Sequence, residues 1–118
     1  MLGATTRKLG RETGERKALF RDLVGALIVH GKIETTLAKA RETKKIADSV
    51  IARALDNDVH ARRQVKRLIP DDRIVRRLFS DVAPRYEKGR GGYTRIVRTR
   101  VRRGDATEMA LVELLPKE

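Results

Sequence analysis

Up to Pro84 the apolar residues of this chain recur mostly with the period of an α-helix; beyond it they alternate or run together as strands do. Leu19, Leu23 and Leu27 return every four residues beside Phe20, Val24 and Ile28. This predicts one wide-faced helix, with Thr13 as N-cap, Glu15 in its first turn, an end near His30 and Gly31 as its stop. Lys32 to Leu37 alternates, with Ile33, Thr35 and Leu37 on one side and Lys32, Glu34 and Thr36 on the other. Thr36 can cap a second helix from about Ala38 to Leu55, and Asp58 a third that Pro70 ends. In the third, Ala61, Val65, Leu68 and Ile69 share one side and Arg62, Arg63, Lys66 and Arg67 the other. A fourth helix starts at Asp71 or Asp72, carries Ile74, Val75, Leu78, Phe79 and Val82, and closes at Pro84. A glycine-rich loop, Arg85 to Gly92, leads to a strand at Tyr93 to Thr99. The basic connection Arg100 to Ala106 turns at Gly104 into a nearly all-apolar strand, Met109 to Leu115. The last two strands read as an antiparallel hairpin that the strand at Ile33 can extend. The expected fold class is α+β: about four helices packed on a small, mostly antiparallel three-stranded sheet, with a basic extended N-terminal arm. Residues 1–12 form the arm and 13–118 a single domain, the number expected for 118 residues.

Charge narrows the function. The chain holds 28 Lys plus Arg against 16 Asp plus Glu, a net of +12. Residues 1–21 carry net +4 and residues 85–103 carry net +7, so two short segments supply +11. Such apolar-poor basic segments repel themselves and become ordered against an anion. Arg outnumbers Lys, and its planar fork grips phosphate in two places. The expected partner is therefore nucleic acid.

Several classes are excluded or disfavoured. There is no Cys, hence no disulfide framework, thiolate metal site or Cys nucleophile. No apolar run approaches the length of a spanning helix, and no apolar signal-peptide core follows Met1, so a cytoplasmic chain is expected and no membrane partner. His30 at a helix end reads as a helix-terminal cation, and Asp71 with Asp72 as a helix start. The stretch Gly89 to Gly92 lacks the Gly-Lys-Thr/Ser of a phosphate-binding loop and precedes a strand. No catalytic set emerges, so no enzyme, cofactor, metal or small-molecule substrate is expected. Arg95 and Arg98 lie on opposite faces of a regular strand and so cannot both enter one groove. Tyr93 reads equally as a base-stacking or a sheet-packing residue.

Specific strings add a resemblance. Arg7-Lys8-Leu9-Gly10-Arg11 precedes Arg16-Lys17-Ala18-Leu19, followed by Ile33-Glu34-Thr35-Thr36-Leu37-Ala38-Lys39-Ala40 and His60-Ala61-Arg62-Arg63. Ala83-Pro84-Arg85-Tyr86, Gly91-Gly92-Tyr93-Thr94-Arg95-Ile96, Arg102-Arg103-Gly104-Asp105 and Met109-Ala110 complete the series. In order and spacing these resemble the bacterial large-subunit ribosomal protein seventeen family, from about Arg7 to Leu115. The resemblance implies a non-enzymatic constituent of the large ribosomal subunit. It implies one copy per ribosome, bound to 23S rRNA near the polypeptide exit tunnel and beside neighbouring large-subunit proteins. The candidate RNA-binding residues are Arg7, Lys8, Gly10, Arg11, Arg16 and Lys17 toward the N-terminus, and His60, Arg62 and Arg63 on the third helix. From the loop and strand that follow come Arg85, Tyr86, Lys88, Arg90, Gly91, Gly92, Tyr93, Thr94, Arg95, Arg98, Arg100, Arg102 and Arg103. The alternative is a DNA-binding regulator or nucleoid protein that uses the third helix for recognition.

Overall fold

A computed structural model describes residues 13–89 and 91–116. The expected basic arm, 1–12, lies outside them. The order is α1 (Thr13–His30), β1 (Lys32–Thr36), α2 (Leu37–Ala54), α3 (Val59–Leu68), α4 (Asp72–Arg77), β2 (Thr94–Val101) and β3 (Glu108–Leu114). This is an α+β fold of four helices and one antiparallel three-stranded sheet, in strand order β1-β3-β2.

Local chemistry accounts for the boundaries. Thr36 accepts a hydrogen bond from the Lys39 amide at the start of α2. Asp58 accepts one from the Ala61 amide at 2.7 Å, and Asp71 one from the Arg73 amide at 2.9 Å. Each satisfies an orphan donor of a first helical turn. The first helix opens at Thr13 itself. It stops at Gly31, whose φ of +82° only glycine adopts without strain. The Gly31 amide donates to the Leu27 carbonyl and its carbonyl accepts from the Leu114 amide, so this one turn joins α1 to β3. A Cβ there would meet no atom within 4 Å, so Gly31→Ala costs only backbone strain. We expect a loss of about 1 kcal/mol, or roughly 4 °C in melting temperature, by thermal denaturation. An unchanged melting temperature would contradict this reading of the turn.

Pro84 does not simply end the fourth helix. Regular α-helical bonding stops at Arg77, a wide π turn follows over Leu78–Val82, and a 3-10 turn over Ala83–Arg85 contains the proline. Proline has no amide hydrogen and its ring crowds the carbonyl four residues earlier. The Ala83 amide accordingly donates to the Leu78 carbonyl, five residues back. Leu78 and Val82 both remain fully buried through this change of winding.

The helices cover one face of the sheet: α2 packs across all three strands and α1 against β1 and β3. Phe20, Val24, Leu27, Val50, Ile51, Val65 and Val112 lie at the centre of one continuous core. The register puts Ile33, Thr35, Ile96, Ala110 and Val112 on the covered face. Lys32, Glu34, Arg95, Val97 and Glu113 fall on the other, which no element of the described residues covers. β3 is nearly all apolar because it is the central strand, flanked on both edges.

Candidate nucleic-acid interface

The basic hairpin is built on β2, an edge strand of mostly exposed residues. Arg95 stands opposite Glu113 and Arg98 opposite Ala110, so the two arginines do face opposite sides of the sheet. A β-bulge between Arg98 and Arg100 then changes the alternation. Without it Arg100 would share the side of Arg98; with it, Arg100 pairs with Met109 and joins the uncovered face. There Glu34 reaches across β3, accepting from the Thr99 hydroxyl at 2.7 Å and the Arg100 guanidinium at 3.2 Å. The turn is closed by the Arg102 amide on the Thr107 carbonyl, with Gly104 and Ala106 at positive φ. Asp105 accepts from the Arg102 guanidinium at 2.6 Å and from the Thr107 amide at 3.2 Å. Arg95 pairs with Glu113, and Arg98 with Glu108 at 4.0 Å. Arg103 is exposed and has no ion pair among the described residues.

The glycine-rich loop before β2 is held at both ends. Tyr86 is buried and donates its hydroxyl proton to the Leu115 carbonyl at 2.7 Å. Its ring lies 5.3 Å from that of Tyr93, which is 2% exposed. On α2, Asp48 accepts from the Tyr93 amide at 3.0 Å and the Thr94 hydroxyl at 2.9 Å. Lys44, one turn away, donates to Asp48 at 2.7 Å and to the Thr94 carbonyl at 3.0 Å. Lys88 pairs with Asp56 at 2.8 Å. Tyr86, Tyr93 and Thr94 thus frame the loop from inside the core. Gly91 stands exposed between these anchors, with Gly92 half-buried beside it; Arg90 lies outside the described residues.

The other candidates are spread out. His60 contacts Gln64 on the exposed side of α3. Arg62 lies over the Phe79 ring at 4.6 Å and donates to Asn57, while Arg63 is exposed. Arg85, half-buried, pairs with Asp81 at 3.3 Å. Arg16 is buried, whereas Lys17 on the same helix is exposed. Arg7, Lys8, Gly10 and Arg11 fall outside the described residues. The structure therefore brings Arg100, Arg102 and Arg103 to the hairpin turn, and the loop of Lys88 and Gly91 to the opposite end of β2. Reasoning from sequence did not single out Asp48, Lys44 or Asp56. An Asp four residues after a Lys on a helix carries the signal of a solvated pair, and its real partners lie more than forty residues away.

Four carboxyls are held below their ordinary range. Glu34 is lowered by the Thr99 hydroxyl and then Arg100, Asp56 by Lys88, Asp72 by Lys66, and Asp105, the most strongly, by Arg102 and the Thr107 amide. Folded-state values below the unfolded ones give stability that is present at neutral pH and lost as pH falls through the folded values. Melting temperature should therefore stay level from neutral pH down to about pH 5 and decline below about pH 4, where unfolded carboxylates begin to bind protons. Rising stability on acidification would contradict the pairing. Among the described residues no group of three or more His, Asp or Glu side chains is arranged to hold a metal ion. No helix among the described residues is long and apolar enough to cross a membrane.

Comparison with known proteins gives the family of the chain. Residues 19–115 match the family described as ribosomal protein L17. The chain is 49% identical over 109 residues to large ribosomal subunit protein bL17 of Clostridium botulinum strain Hall, covering 92% of this chain and 96% of the relative. It is 48% identical over 112 residues to the bL17 of Clostridioides difficile strain 630, covering 95% of this chain and 99% of the relative. With a family match across most of its length and near-half identity to these proteins, the chain belongs to the ribosomal protein L17 family.

Proposed function

We infer that this protein is a structural constituent of the large ribosomal subunit, acting in translation by binding rRNA in the cytoplasm. Its role is scaffolding and not catalysis, in keeping with membership of a ribosomal-protein family. The finer reading is that one copy per ribosome binds 23S rRNA near the polypeptide exit tunnel, beside other large-subunit proteins. The family resemblance supports that location. The observation that carries RNA binding is the basic turn, where Arg100, Arg102 and Arg103, the last with no ion pair among the described residues, cluster at the end of a bulged edge strand. Exposed ion pairs are worth little, so phosphates can take over guanidinium groups now held by Glu34 and Asp105. Neutralised phosphates let rRNA helices approach one another, with shape and backbone read in preference to sequence.

The test is competition at matched salt. Excess duplex DNA is expected to leave a complex of this chain with 23S rRNA largely intact, whereas excess 23S fragments dissolve it. Equal displacement by DNA would overturn the reading in favour of a DNA-binding regulator or nucleoid protein.

A further inference from the structure

The cations of this protein differ in whether a carboxylate already neutralises them. Arg95, Arg98, Arg100 and Arg102 each face one. On α3 and α4 Lys66 and Arg77 are paired too, but Arg63, Arg67, Arg73 and Arg76 are exposed and within ion-pair distance of no carboxylate among the described residues, with Arg76 acting on Asp72 only through its charge. Two of them line one groove at the junction of these helices. Arg63 and Arg76, with Arg62 and Lys66, line a groove of about 400 Å³ beside Val75. Asp72 is the one carboxylate in that lining, and Lys66 holds it at 2.9 Å. The walls are set in advance. Asp58 and Asp71 cap the two helices, and Arg62 is flattened on Phe79 at 4.6 Å.

The groove is remote from the hairpin turn. Thr36, the N-cap of α2, pairs with Met109, which in turn pairs with Arg100, so the turn lies at the N-terminal end of α2. Helix α3 begins just beyond the C-terminal end, after the Asp56–Asp58 link. The start of α3 and the hairpin turn thus lie at opposite ends of an 18-residue helix about 27 Å long. We propose that the groove between α3 and α4 is a second RNA-backbone site, independent of the hairpin turn, so that one chain ties together two RNA segments. The proposal rests on the rRNA-binding reading and adds the α4 arginines to it. Like charges on neighbouring helix positions cost stability in the free chain, and a phosphate backbone in the groove relieves that repulsion.

The experiment measures how many copies of a blunt RNA duplex, too short to span α2, the full chain binds at low salt, by sedimentation equilibrium. The wild type is expected to take two. The R63E/R76E variant should take one and melt no lower than the wild type, since neither arginine makes an ion pair among the described residues and like-charge repulsion in the groove is relieved. The R102E/R103E variant should likewise take one. A wild type that takes one duplex, or an R63E/R76E variant that takes as many as the wild type, would overturn the second site while leaving rRNA binding through the hairpin intact. No duplex binding by a wild-type chain that is nonetheless present in large subunits would also remove the proposal without touching the ribosomal reading. Absence from large subunits would remove the reading itself.

Discussion

Raising monovalent salt from 50 to 200 mM is expected to lower the affinity of the isolated chain for 23S rRNA by roughly 10³- to 10⁵-fold, the loss that goes with about six to ten phosphate contacts. If about ten are made, the slope of log affinity against log salt is near −7 to −9. The ion pairs of the folded chain pull this figure toward its shallow end. When Arg102 leaves Asp105 for a phosphate, or Arg100 leaves Glu34, the abandoned carboxylate gathers a cation again. Fewer counterions are then released per arginine. Asp105→Asn removes one such carboxylate and should steepen the slope, by less than the roughly 0.7 to 0.9 that one phosphate is worth. Binding isotherms over a salt series check both values. A slope near zero would show that phosphate contacts do not drive the association.

The second large effect concerns the anchor of the glycine-rich loop. Asp48→Ala deprives the Tyr93 amide and Thr94 hydroxyl of their acceptor and Lys44 of its partner at once. Hydrogen bonds to a charged group are worth more than neutral ones, and donors left partly buried without a partner add to the loss. With Asp48 about a quarter exposed, water replaces some of it, and a destabilisation of about 2–3 kcal/mol is expected. For a chain of this size that is roughly 8–12 °C in melting temperature. Hydrogen exchange at the Tyr93 amide should quicken in the same variant. Lys44→Met, which leaves the two acceptor contacts of Asp48 in place, should cost less than half as much. A shift below about 2 °C for Asp48→Ala would show that the core aromatics hold the loop without it.

The elements of this fold are legible in the sequence because their causes are local. Thr36, Asp58 and Asp71 announce helix starts through side chains that bond amides two or three residues on. Gly31 announces a stop through its own φ. The apolar run of β3 announces a central strand. The Asp48 clamp is not legible, because a contact across 45 residues leaves no trace in the spacing around either partner. The bulge after Arg98 is not legible either, and it decides which face Arg100 occupies. Tyr93 could be read as stacking or packing; burial against Tyr86 places it in the core of the free chain. The charge map located the basic segments but not their neutralisation. Glu34, Glu108 and Glu113 come from other strands, so only the fold reveals which arginines already have partners. Arg76 likewise carries no mark in the sequence, because only the packing of α4 beside α3 brings it into one groove with Arg63.

Sedimentation of a cell lysate through a sucrose gradient at physiological salt tests the central claim most directly. The account predicts that this polypeptide runs with the large ribosomal subunit, in one-to-one ratio with 23S rRNA, and leaves that fraction when the RNA is digested. Recovery of most of the chain as free protein at the top of the gradient would contradict it.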